Sequence, residues 1–80
     1  MDFLINDFGS IFSVVTLTEN GIDWVNQYID VPDYETPETF NIEVRYAQDI
    51  IGSMLQDGLQ VSLDGKNLYI NCKNEVGYFQ

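Results

Sequence analysis

Apolar residues recur along this chain with two different spacings, and each change of spacing marks a change of element. From Ser10 to Leu17, SIFSVVTL, β-branched and aromatic residues crowd a stretch of strand length that places Phe12, Val14 and Thr16 on one face. Gly9 marks its start. The spacing then turns helical. Thr18 is a suitable N-cap, Glu19 suits the positive end of a helix, and Ile22, Val25, Tyr28 and Ile29 form a stripe that Trp24 broadens. A helix is expected over about residues 19–30. Gly21 inside it costs roughly 1 kcal/mol relative to Ala, so it reads as a point of close packing.

The next stretch, DVPDYETPETF, Asp30 to Phe40, carries four carboxylates, two prolines and no basic residue. Each proline pushes the residue before it toward extended backbone, and Val31 to Thr39 is expected to be a loop. In TFNIEVRY, Phe40, Ile42 and Val44 alternate with Asn41, Glu43 and Arg45, which predicts a second strand. Helical spacing returns through Ala47, Ile50, Ile51, Met54 and Leu55, and Gly58 stands where a left-handed C-terminal cap belongs. The second helix is expected at about 46–57. Two alternating runs then flank Asp64 and Gly65, a hairpin signal over 59–72 that aligns Leu59, Val61 and Leu63 and, on the returning strand, Leu68, Ile70 and Cys72. The tail, 73–80, reads as a short edge segment or a frayed end.

The order β-α-β-α-β-β predicts an α+β fold with two helices on one face of a mainly antiparallel sheet. All 80 residues fit one domain. Apolar residues at 45% and aromatics at 14% are enough for burial to offset the entropy of ordering, which sets the chain apart from a disordered acidic tail.

Charge narrows the function classes. Arg45, Lys66 and Lys73 face thirteen Asp and Glu, for a formal net charge of -10 without histidine. Such a chain repels phosphate and anionic lipid and is steered toward basic surfaces, so neither nucleic acid nor membrane is expected as a direct partner. Cys72 is the one cysteine, which excludes an internal disulfide, and no standard zinc set can be assembled. A reducing, cytoplasmic setting fits. The opening MDFLINDF has an apolar patch broken by Asn6 and Asp7, unlike a signal peptide, and no run approaches membrane-spanning length.

Catalysis finds no apparatus. The serines have no histidine to activate them, Cys72 alternates with Ile70 as a core-facing residue, and LDGKN is a turn, not a phosphate-cradling loop. No enzyme activity, cofactor or metal is expected. Calcium is the sharpest competitor, because Asp30, Asp33 and Glu35 supply hard oxygens, but the ligand order and central glycine of an EF-hand loop are missing. A solvated acidic loop is the plainer explanation.

Mimicry of a nucleic-acid backbone is the functional alternative to mere solubility. Duplex DNA presents a negative charge about every 1.7 Å of axis, and a small polyanionic domain can occupy the channel that binds it. Local stability gives little reason for several acids. Glu19 and Asp23 are like charges at i,i+4, and Asp57 lies at a helix C-terminus where the macrodipole disfavours it. Tyr34, flanked by carboxylates, is a candidate anchor against arginine, its competing role being to fold back over Trp24. Arg45 is expected to pair locally, with Glu43 or with Asp49.

The stretches LTENGIDWV and VRYAQDIIGSMLQDGLQV, within Ser10 to Val61, resemble a family of short, mostly uncharacterised proteins met in bacterial genomes, phages and mobile elements. The resemblance implies a phage-type accessory protein. In size and charge alone the chain is also similar to acidic anti-CRISPR and anti-restriction inhibitors. The expected function is therefore a non-enzymatic inhibitor that binds a basic surface of a bacterial nucleic-acid-binding protein. Asp30, Asp33, Tyr34, Glu35 and Glu38 form the first patch, with Asp23 and Asp57 secondary. The alternative is an assembly module that pairs through the exposed edge of the terminal hairpin, giving a homodimer.

Overall fold

The computed structural model describes residues 1–70 and 76–78. The chain forms β1 (Phe3–Asp7), β2 (Ile11–Thr16), α1 (Glu19–Tyr28), β3 (Thr39–Glu43), α2 (Val44–Gln56), β4 (Val61–Leu63), β5 (Lys66–Ile70) and β6 (Val76–Tyr78). The strands make a mixed sheet in the order β3-β2-β1-β4-β5-β6, antiparallel at every pairing except β1 with β4. Two helices pack against it, so the α+β class and the mainly antiparallel sheet are as expected.

Two strands extend the expected order. β1 lies inside the sheet, paired on both sides, yet its five residues FLIND alternate only twice before turning polar. That run is too short to stand out from a merely apolar N-terminus. β6 pairs with the outer side of β5. Cys72, with its expected core position, and most of the tail fall outside the described residues.

Alternation sends Phe3 and Ile5, Val14 and Thr16, Phe40 and Ile42, Val61 and Leu63, and Leu68 to the helix-covered face. α1 adds Gly21, Trp24 and Val25, and α2 adds Ala47, Ile51 and Met54, closing one core. Burying a Phe, Ile or Met side chain contributes roughly 1.5–3 kcal/mol relative to exposure, so this cluster carries the fold.

The element ends correct the periodic reading at two places. The strand expected to run through Val44 and Arg45 stops at Glu43, and Val44 instead begins α2, 48% exposed. The backbone makes this change without a linker because the Val44 N–H, one of the donors a helix start leaves unmatched, donates to the O of Ser10, just before β2, at 3.1 Å. α2 therefore spans 44–56 rather than 46–57. α1 ends at Tyr28, two residues early: Ile29 donates its N–H to Val25 O but is already extended, and its side chain packs against the core from outside the helix.

The expected caps and turns form. Thr18 Oγ1 accepts from the Gly21 N–H at 3.1 Å. Gly58, at φ +86°, donates to Leu55 O while Leu59 donates to Met54 O, the paired bonds of a Schellman cap. Asp64 and Gly65, at φ 50° and 84°, make the two-residue turn that the right-handed twist of a hairpin favours. Gly21 is a point of close packing: a Cβ there would lie 2.7 Å from Thr16 Cγ2 and 3.3 Å from Asp2 O.

Candidate functional site

Helical periodicity leaves a second stripe beside each buried one, and these two stripes face each other across a furrow between α1 and α2. Trp24, Tyr28 and Ile29 on one wall and Asp49, Ile50, Ser53, Gln56 and Asp57 on the other enclose a hollow of about 410 Å³. It shares Trp24, Tyr28 and Asp57 with a neighbouring hollow lined by Asp2, Asn20, Asp23 and Gln27. At the other end Ile29 and Ile50 also floor a cleft of about 490 Å³ beneath the acidic loop, walled by Asp30, Pro32, Tyr34, Glu35, Glu43 and Tyr46. Asp2, Asp23, Asp57, Asp49, Asp30, Glu35 and Glu43 thus line three hollows that adjoin through shared residues. Among the described residues, no lysine or arginine lines these three hollows.

Of the residues singled out from the sequence, Asp30, Tyr34 and Glu35 are brought together in the loop cleft, and Asp23 and Asp57 meet at the opposite end. Asp33 and Glu38 are exposed elsewhere on the loop and line neither hollow. Tyr34 is 87% exposed, so it does not cover Trp24. Tyr28 takes that position, its ring 5.3 Å from the indole. Helical reach explains the exchange: Tyr28 is four residues from Trp24 on the same helix.

Two of these acids have structural duties, and that of Asp57 overturns the expectation that local stability gives little reason for it. Asp57 Oδ2 accepts from Trp24 Nε1 at 2.6 Å, so the macrodipole penalty at the α2 terminus is set against the satisfaction of a nearly buried indole. Glu35 Oε2 accepts from both the backbone N–H and the side-chain amide of Asn41, at 3.1 and 2.7 Å. Asn41 belongs to edge strand β3, and Thr36 bridges Thr39 of the same strand through backbone bonds in both directions. The acidic segment is thus neither a plain solvated linker nor wholly free for a partner, because part of it folds back over a sheet edge.

Asp2, not singled out from the sequence, joins three elements. Its carboxylate accepts from the Gln60 N–H at 2.8 Å and from Thr18 Oγ1 at 2.5 Å. These bonds, the backbone one first, hold its pKa below the ordinary 3.8 against the opposing effect of partial burial.

Arg45 Nε pairs with Glu43 Oε2 at 2.8 Å rather than with Asp49, and its guanidinium sits 4.9 Å from the Tyr46 ring centroid. Glu43, Tyr46 and Asp49 went unrecognised as site residues. A polar and aromatic stripe at 46, 49, 53 and 57 was the available signal, masked by the stronger apolar stripe beside it.

Among the described residues, no cluster of three or more Cys, Asp or Glu side chains is arranged to hold a metal ion. No described helix is long and apolar enough to cross a membrane. Compared with protein-family models, curated proteins and solved structures, the chain matches none.

Proposed function

We propose that this protein is a non-enzymatic inhibitor or accessory factor that docks its furrowed helical face on a basic, nucleic-acid-binding surface of a bacterial defence protein, of the anti-CRISPR or anti-restriction kind. The observation that carries this reading is the run of three adjoining hollows, two beside α1 and α2 and one under the acidic loop, lined together by seven carboxylates and by Trp24, Tyr28, Tyr34 and Tyr46. Carboxylates in a concave surface focus the field that steers a basic partner, and the exposed rings of Tyr28, Tyr34 and Tyr46 supply the contact area that charge alone lacks. A groove evolved for phosphates is complementary to both.

The test is recovery from bacterial lysate with tagged protein, at low and at about 150 mM salt, where the Debye length is about 8 Å. Nucleic-acid-binding proteins are expected to be recovered, to be released by duplex DNA, and to be lost with the triple variant Asp23→Lys, Asp30→Lys, Asp49→Lys. These three side chains line the hollows without a structural hydrogen bond of the Asp57 or Glu35 type. Recovery unchanged by the triple substitution overturns the reading.

Self-association is a second reading, moved to a different surface. β6 covers the outer side of β5, so the terminal hairpin does not end the sheet. The sheet face turned away from the helices exposes Leu4, Tyr69 and part of Val15. On β1, β2, β4 and β5 this face carries no carboxylate, so in so acidic a chain two copies could meet there away from Glu43 of β3. A dimer in sedimentation equilibrium that is indifferent to salt and lost on Leu4→Lys would favour it.

A further inference from the structure

The cleft beneath the acidic loop differs in kind from the other two hollows. Its floor is apolar, built from Ile29, Phe40, Ile42 and Ile50, while its rim carries Asp30, Glu35 and Glu43 and two tyrosines, Tyr34 and Tyr46. A plain anion-lined surface would take any cation. An apolar floor with a carboxylate and aromatic rim matches a side chain that is itself apolar along its stem and planar and charged at its head. The molecule already displays the pairing at this rim: Arg45 places its guanidinium on Glu43 and over the Tyr46 ring. Both contacts are exposed, with Arg45 70% accessible, so they mark the chemistry of the rim without filling the cleft.

We propose that this cleft is an anchor pocket for an arginine side chain presented by the basic partner. The inserted methylenes lie on Ile29 and Ile50, the guanidinium pairs with Asp30 and the free lone pairs of Glu35, and Tyr34 or Tyr46 stacks on its face. This rests on the acidic-face reading above and adds a residue type to it. Lysine is the discriminating competitor, since it carries the same charge but has neither a planar head to stack nor two parallel donors for a carboxylate.

The experiment is a titration of the isotope-labelled full chain with hexa-arginine and, separately, hexa-lysine peptide at about 150 mM salt, followed by amide chemical shifts. Hexa-arginine is expected to bind about five- to tenfold more tightly, with the largest shifts at Asp30, Tyr34, Glu35, Tyr46 and Ile50. Asp30→Asn and the double variant Tyr34→Ala, Tyr46→Ala should each remove most of that preference, and Tyr34→Phe, Tyr46→Phe, which keeps both rings, should retain it. Equal affinity for the two peptides, or shifts centred on Asp2, Asp23 and Asp57, overturns the arginine pocket while leaving the acidic-face reading standing. Binding of neither peptide, even at low salt, overturns both.

Discussion

The indole N–H of Trp24 donates to Oδ2 of Asp57 at 2.6 Å, joining the middle of α1 to the C-cap of α2. An acid that the macrodipole disfavours is thereby the acceptor for a side chain only 7% exposed. Trp24 also meets Phe3 edge-on, with ring centroids 6.1 Å apart, so the bond positions one wall of the furrow and a corner of the core together.

Removing that acceptor leaves the indole unmatched. Asp57→Ala is expected to lower stability by about 1.5–3 kcal/mol, the range for a hydrogen bond to a charged group, and Asp57→Asn by less because it keeps an acceptor. Urea unfolding followed by the fluorescence of Trp24, the one tryptophan in the chain, reads the difference directly. Equal midpoints for Asp57→Ala and the parent would show that the bond contributes nothing net.

Two helical glycines should respond to alanine with opposite signs. At Gly21 the new Cβ meets Thr16 Cγ2 at 2.7 Å and Asp2 O at 3.3 Å, and a loss of about 1–3 kcal/mol is expected. Gly52 in α2 has nothing within 4 Å, so Gly52→Ala is expected to gain about 0.5–1 kcal/mol from helix propensity. Thr16→Ser deletes the clashing methyl and keeps the hydroxyl that donates to Pro37 O. It should therefore relieve part of the Gly21→Ala defect, as a thermal-unfolding double-mutant cycle would reveal.

Asp2 gives the stability a defined acid dependence. Its pKa is lowered in the folded chain by the Gln60 N–H and then by the Thr18 hydroxyl, so its stabilising effect is fully present above its unfolded value, ordinarily 3.8. It is lost as pH falls through the lower folded value. The stability gap between the parent and Asp2→Asn should accordingly be constant near neutrality and close progressively below about pH 4. A gap that instead widens in acid would contradict the assignment.

Glu35 protects an edge. With Glu35→Ala the outward N–H of Asn41 loses its acceptor and β3 becomes open to strand pairing, so concentration-dependent association should appear in sedimentation velocity. Glu35→Gln, which retains a carbonyl oxygen at that place, is expected to sediment as the parent does. Association in both variants, or in neither, would separate the edge from Glu35.

Local information in the sequence was sufficient for everything that depends on near neighbours. Thr18 as a cap, Gly58 as a left-handed terminus, Asp64-Gly65 as a hairpin turn and the 3/4-spaced stripes of both helices are governed by backbone sterics and side-chain period, which act within a few residues. The same holds for the α+β class, which follows from where the period switches. Partnerships across the fold lay beyond that range. Nothing near Asp57 in sequence announces Trp24, thirty-three residues away, and nothing in FLIND identifies a strand that finds β2 on one side and β4 on the other. Likewise the acidic loop could be read as charge, but only packing divided its acids between Glu35 on a strand edge, Asp30 at the rim of an apolar cleft, and Asp33 and Glu38 in solvent. A carboxylate's role depends on the donors within about 3 Å of it, and those are placed by the tertiary structure.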